Sequence, residues 1–416
     1  MSTVDALAIR VCMLQGRLWK EHASGTSLSR CNCIKELTSL VYDNAEDSRG
    51  VCVRAELPIT LLSIMQDGHT YKDPGYCLRV VDLFAYIIAP ACFGHEPILK
   101  PAADLALARG ANLWQTIFSM RREIATGTRE NAGLRVAFAR LIKAYNNLYI
   151  RGEYPTLLDT HFGHFVLYAW VNRVTSGTND TALQTFYSLC RTSTLSERNS
   201  FYLTAAKYCG GADAFANRFK YDLSQADLTK EHFVDCTRAL SVFCCWTFGE
   251  DPIAQSFAEN GVLESLYDAL RKQTVSLSKK EEWNAIRELP VFLWATFRRT
   301  FNPSPLETNK NIDYLLFFMS RGAMYCPIYD CVEGVNTDEW LQLFDDVRKW
   351  YLTNSMHGPN FKALNKAVQC YWKSTAEILN DYITRGEIPR SNPNMMKILD
   401  AWNEMGHDFG LETRFR

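Results

Sequence analysis

The sequence predicts an all-α fold of stacked helical units, and three observations carry that reading. Apolar residues recur at the three-to-four-residue spacing of a helix along nearly the whole chain, with little of the alternation that marks a strand. Similar apolar helices return with similar punctuation between them, which is how a repeat architecture shows itself in sequence. Finally, 47% of the 416 residues are hydrophobic, enough for a long continuous core.

Taken in order, Met1 to Gly16 carries Asp5 and Arg10 inside its apolar stretch and lacks the core of a secretory signal, so an intracellular, cytoplasmic or nuclear protein is expected. The stretch Pro58 to Met65 holds a weak apolar series starting at Leu61. The longest apolar run, Val80 to Phe93, is interrupted by Asp82 and Pro90 and falls short of the roughly 20 residues that span a bilayer. Leu113, Trp114, Ile117 and Phe118 open a series that Val166, Leu167, Trp170, Val171 and Val174 repeat, as do Val262, Leu263, Leu266, Tyr267 and Leu270. Small or polar residues precede three of these segments: Ala55-Glu56-Leu57, Ala108-Arg109-Gly110 and Ala258-Glu259-Asn260-Gly261. Upstream helices end near Phe93, Leu148 and Phe248, each followed by a Gly, an acidic residue and a Pro, at 94–97, 152–155 and 249–252. One such unit cannot bury its apolar stripe alone, so neighbours must stack. The alignment makes Trp114 and Trp170 core residues.

Gly210-Gly211 reads as a helix stop after Cys209. Ser278 and Glu281 have capping-box spacing ahead of Trp283, Ile286 and Leu289, with Pro290 ending or bending that helix. Residues 301–310, FNPSPLETNK, read as a loop or linker. Met324 to Val335 is the one stretch that suggests a small hairpin or ordered loop. Asn336 and Glu339 repeat the capping-box spacing before Trp340, Phe344, Val347 and Tyr351, which share one helix face. Asn392-Pro393 opens a last helix through Trp402, with Gly406 closing it.

The stretch Phe248 to Leu270, FGEDPIAQSFAENGVLESLYDAL, resembles the last two helices of an armadillo-type repeat. Ser391 to Leu411, SNPNMMKILDAWNEMGHDFGL, resembles the sequence that often precedes the zinc finger in fungal proteins carrying a MYND finger after an armadillo-like region. No finger ligands follow Leu411, so nothing a finger contributes carries over. The expected architecture is an armadillo/HEAT-like helical-repeat superhelix over residues 1–275 with a helical extension or cap over 276–416.

Chemical signatures are sparse. There is no C-x-x-C, no phosphate-binding glycine loop, no G-x-S-x-G and no H-E-x-x-H, which argues against the commoner enzymes. His161 and His164 with Asp159 read as a helix start capped by Asp159 or Thr160 and not as a metal site; no metal or cofactor is expected. The cysteines, among them Cys190, Cys236, Cys244, Cys245 and Cys370, lie in apolar helical stretches and read as buried thiols. Asp345-Asp346 and Asn380-Asp381 with Thr384 and Glu387 superficially resemble the magnesium motifs of class I terpene cyclases, but a solvated helix face is the better reading. Lys plus Arg number 45 against 46 Asp plus Glu, so no global field gathers nucleic acid or membrane lipid. The expected function is a non-enzymatic scaffold that binds a protein or peptide segment in a concave groove, with a helical enzyme or a transcription-related adaptor as alternatives. The armadillo resemblance places the groove on the last helix of each unit, at Gln115, Ser119, Tyr168, Asn172, Glu264 and Asp268.

Overall fold

The computed structural model describes residues 3–43, 45–88, 100–151, 160–175, 180–191, 193–244, 252–274, 277–301, 308–329, 337–353, 359–386 and 393–411. Among the described residues there are twenty-one α-helices, one 3-10 turn at Gly68–Lys72 and no strand. None of these helices is long and apolar enough to cross a membrane.

The chain divides into two compact units, 1–209 and 210–416. The first carries α1 (Thr3–Ser24), α2 (Ser27–Asp43), α3 (Ala45–Arg54), α4 (Leu57–Met65), α5 (Pro74–Ile88), α6 (Lys100–Ser119), α7 (Arg121–Glu130), α8 (Ala132–Arg151), α9 (His161–Val171), α10 (Thr181–Arg191) and α11 (Leu195–Cys209). The second carries α12 (Ala212–Leu223), α13 (Lys230–Phe243), α14 (Pro252–Glu259), α15 (Val262–Thr274), α16 (Lys279–Ile286), α17 (Pro290–Phe301), α18 (Thr308–Tyr329), α19 (Thr337–Thr353), α20 (Pro359–Thr384) and α21 (Pro393–Asp408). Most helices pack on neighbours one to three positions along the chain. In the first unit α2 packs on α5 and α5 on α8, while α4 meets α6 and α6 meets α9. In the second, α12 packs on α15 and α15 on α18, beside a row of α14, α17 and α19. This progression of near neighbours is a stacked, helical-repeat arrangement. The boundary read near residue 275 lies inside the second unit, where α13–α16 and α15–α18 packing runs across it.

The apolar series found in the sequence form the core. Leu113, Trp114, Ile117, Phe118, Val166, Leu167, Trp170, Val174, Val262, Leu263, Leu266 and Leu270 are all buried. Trp114 sits edge-on to Tyr145 at 5.2 Å and 4.7 Å from Phe162, a geometry that adds to simple burial. In the second unit Trp283 lies 6.2 Å from Trp340, and Phe344 is edge-on to Trp402 at 5.5 Å.

Local signals are realised unevenly. Ser278 and Glu281 form the capping box. Thr160 caps α9 by accepting from the Gly163 N–H, and Gly210 and Gly211, both at φ 99°, follow the end of α11. Buried positions 340, 344, 347 and 351 line one face of α19. Pro290 does not end a helix: α16 stops at Ile286, and the proline opens α17, where its missing N–H costs nothing. Gly406 does not close α21, which runs through it to Asp408; a Cβ there would lie 2.1 Å from the Trp372 indole nitrogen, so the glycine admits the ring. Ala108-Arg109-Gly110 is no break either. It lies within α6, where a Cβ at Gly110 would meet the Tyr149 hydroxyl at 2.8 Å. Glu56 at φ 57° and Gly261 at φ 70°, by contrast, are true breaks. Met324 to Tyr329 is the last part of α18 and not a hairpin or loop. Residues 94–97, 152–155, 249–251, 302–307 and 330–336, with Phe93, Asp159, Cys245, Phe248, Glu387 and Asn392, lie outside the described residues. Most of the described cysteines are buried free thiols, but Cys12 and Cys370 are exposed.

Candidate functional site

The six groove positions differ in exposure. On α6, Gln115 and Ser119 are exposed. On α9, Tyr168 is only 6% exposed, and this corrects its assignment to an open groove. The reason lies in α9 itself. Every residue from Phe162 to Trp170 is buried, because the helix packs on α6, α7, α10 and α11 and keeps no free face. Arg121 covers that side, its guanidinium 4.6 Å above Phe118, 5.4 Å from Tyr208 and 5.8 Å from Tyr168. Burial pushes the Tyr168 phenol up, against the opposing pull of Arg121. Asn172 is half-buried and caps α9, its side-chain amide donating to the Tyr168 carbonyl at 3.0 Å. In the second unit Glu264 is half-buried and accepts from the Tyr314 hydroxyl of α18 at 3.1 Å, while Asp268 is exposed. Burial and that hydrogen bond push the Tyr314 phenol up to about 12.

A better-formed concavity lies elsewhere in the first unit. Tyr42 of α2, Arg49 of α3, Asp82, Ala85 and Tyr86 of α5, and Arg140, Lys143, Ala144 and Asn147 of α8 line a cleft of about 610 Å³. The α5 and α8 contributions fall at helical spacing, so the cleft is where polar faces of adjacent helices meet. That volume is in the range of ligand-sized pockets.

Its walls combine aromatic rings with cations. Tyr42 and Tyr86 meet edge-on at 4.4 Å, and the Arg49 guanidinium lies 4.1 Å over the Tyr86 ring. Asp82 takes an ion pair from Arg140 and a 3.0 Å hydrogen bond from the Tyr42 hydroxyl. Burial, reinforced by the Asp82 charge, pushes the Tyr42 phenol well above its ordinary range, so the hydroxyl remains a donor at neutral pH. Three cations thus face one carboxylate. Among the described residues neither Arg49 nor Lys143 has a carboxylate at ion-pair distance, and the buried Arg49 Nε has no hydrogen-bond partner. The arrangement can hold an anionic group beside an apolar or aromatic one. Sequence reading missed it because the residues come from four helices. Only the i, i+3, i+4, i+7 set of Arg140, Lys143, Ala144 and Asn147 was visible as a stripe.

The other sequence candidates are accounted for locally. Asp345 pairs with Lys349 at 2.5 Å one turn along α19, and Asp381 with Arg385, just past the end of α20, at 2.7 Å. Thr384 donates to the Asn380 carbonyl at 2.8 Å. His164 is buried and stacks on Phe201 at 5.2 Å, whereas His161 is exposed.

No protein-family model and no curated protein matches the chain. Among solved structures it aligns with a "circular tandem repeat protein with novel repeat topology and enhanced subunit contact surfaces". The identity is 9% over 98% of this chain and 97% of that one, with a TM-score of 0.29. A likeness that weak carries nothing about the site.

Proposed function

We propose that the chain is a non-enzymatic interaction scaffold that holds an acidic, aromatic-bearing segment of a partner protein in the cleft between α2, α3, α5 and α8. The observation that carries this reading is the pairing of Tyr42 and Tyr86 with Arg49 and Lys143, cations that no described carboxylate neutralises. A carboxylate or phosphate on the partner would meet Arg49 and Lys143 while an apolar or aromatic side chain packs on the tyrosines. Asp82 holds Arg140 and Tyr42 in place, which keeps the cleft shaped before anything binds. The exposed Gln115 and Ser119 of α6 offer a second polar contact surface for a longer segment.

The test is fluorescence anisotropy with labelled peptides of three kinds: acidic with one tryptophan, acidic without it, and basic with it. The acidic tryptophan peptide should bind best, and its affinity should fall with added salt. Arg49→Ala combined with Lys143→Ala should weaken it at least about tenfold, since each charge-assisted contact is worth about 1.5–3 kcal/mol. Equal binding of the basic peptide, or indifference to the double substitution, would refute the assignment.

A further inference from the structure

We propose that Asp222, His232 and Cys236 form a three-ligand site for one zinc ion or a similar borderline divalent cation, joining α12 to α13. One donor atom from each side chain lies within 4.8 Å of the other two, and among the described residues no other His, Cys, Asp or Glu trio gathers so closely. His232 and Cys236 stand one turn apart on α13, hence on one face. The register of that helix is fixed at its start, where the His232 N–H donates to the capping Thr229 hydroxyl at 3.1 Å. Asp222 comes from the last turn of α12, which packs on α13.

The mutual distances are close to those of a ligand cage. His232 Nε2 is 3.8 Å from Asp222 Oδ1 and 3.9 Å from Cys236 Sγ. The first is too long for a hydrogen bond, and the second is at the far limit even for sulfur. Both are close to the edges of a coordination tetrahedron. Metal bonds of about 2.3 Å to sulfur and 2.0–2.1 Å to nitrogen give edges of about 3.4–3.6 Å, so the two edges at His232 need shifts of only a few tenths of an ångström, while the Asp222–Cys236 edge, within 4.8 Å, closes by side-chain rotation. Nitrogen, thiolate and one carboxylate make a donor set suited to zinc, whereas calcium and magnesium take oxygen ligands.

Burial favours the same reading, since Cys236, Asp222 and His232 are 0%, 2% and 8% exposed. Arg218, one turn before Asp222, approaches its Oδ1 at 3.1 Å and would orient the carboxylate as an outer partner. Its charge has a cost. With the metal at +2 and Arg218 at +1 against one carboxylate and one thiolate, one positive charge is left over, so affinity falls below that of an all-cysteine site. On binding, Cys236 releases its thiol proton to solvent and gives the metal a sulfur lone pair. His232 donates the Nε2 lone pair and keeps its proton on Nδ1. Water fills the fourth position.

The full chain, stripped with chelator, should take up one equivalent of cobalt(II) and develop a thiolate-to-cobalt charge-transfer absorption that zinc then abolishes. Zinc at a hundredfold excess over its Kd should raise the melting temperature by roughly 3 °C or more. Cys236→Ser and His232→Gln should lose the absorption, whereas Cys12→Ser combined with Cys370→Ser, at the exposed thiols, should keep it. A folded wild-type chain that shows no such absorption overturns the proposal. So does an absorption that survives Cys236→Ser or disappears in the surface double variant. If Cys236→Ser does not fold, X-ray absorption on the zinc-loaded wild type decides. One sulfur in the first shell supports the site, and a shell without sulfur refutes it.

Discussion

The two units use the same helix stacking but direct their polar groups differently. In the first, Arg49, Arg140 and Lys143 stand around the tyrosines of a cleft that solvent reaches, with Tyr42 36% exposed. In the second, several large polar side chains are paired inside. Trp372 and Trp402 each donate the indole N–H to the other's backbone carbonyl, at 2.9 and 3.3 Å. Tyr325 donates to the buried Glu282 at 2.9 Å and accepts from Arg321 at 2.8 Å, and the Ser320 and Thr375 hydroxyls share a 2.6 Å bond. Buried polar groups of this kind fix one arrangement when satisfied and are costly when broken. The contrast teaches that a stacked-helix frame leaves its surface chemistry free to vary, since its cohesion comes from the apolar seams between neighbours.

The largest expected effects test whether both seams matter equally. Trp402→Ala in the second unit and Trp170→Ala in the first should each cost about 3–5 kcal/mol in denaturant unfolding. Trp402→Ala should sit at the upper end, because it also leaves the Trp372 carbonyl without its indole donor. If Trp170→Ala is mild, the first unit is not built around its α6–α9 seam. Next comes Gly406→Ala, where the added methyl meets Trp372; overpacking should cost about 1–3 kcal/mol. A neutral result would mean that the glycine serves flexibility and not the ring. Ser278→Ala removes a cap and should cost about 1 kcal/mol at neutral pH.

Acid should narrow that last difference. Hydrogen bonds from the Ser278 N–H and hydroxyl, then from Lys230, hold the Glu281 carboxyl below its ordinary value. Its contribution is therefore complete above the unfolded pKa of about 4.3 and is lost as pH falls through the lower folded value. Melting curves of wild type and Ser278→Ala across that window check the sign. The smallest effect belongs to the cleft. Arg49→Ala with Lys143→Ala should leave stability within about 0.5 kcal/mol per site while weakening peptide binding.

Much of this was legible in the sequence. Helical spacing located the core tryptophans, and serine three residues before glutamate located a real capping box. The misses share a cause, since one residue type serves two physical ends. Proline both stops and starts helices, so Pro290 was assigned the wrong one. Glycine permits positive φ but also close approach, and Gly406 uses the second. Tyr168 was placed in the groove by the armadillo resemblance, although the run FVLYAW around it already described a helix with little polar face. The cleft and the Asp222 arm of the α12–α13 cluster were beyond reach, because periodicity orders residues along one helix and says nothing about which other helix lies beside it.

The reciprocal tryptophan bonds between α20 and α21 have a mechanical consequence. Residues 372 and 402 lie 30 positions apart, and each ring is tied to the other's backbone, so neither helix can slide along the other by a turn without breaking both ties together. The pair acts as a two-way latch against shear. Its two indole protons should therefore exchange with solvent at one shared rate, set by a single opening event.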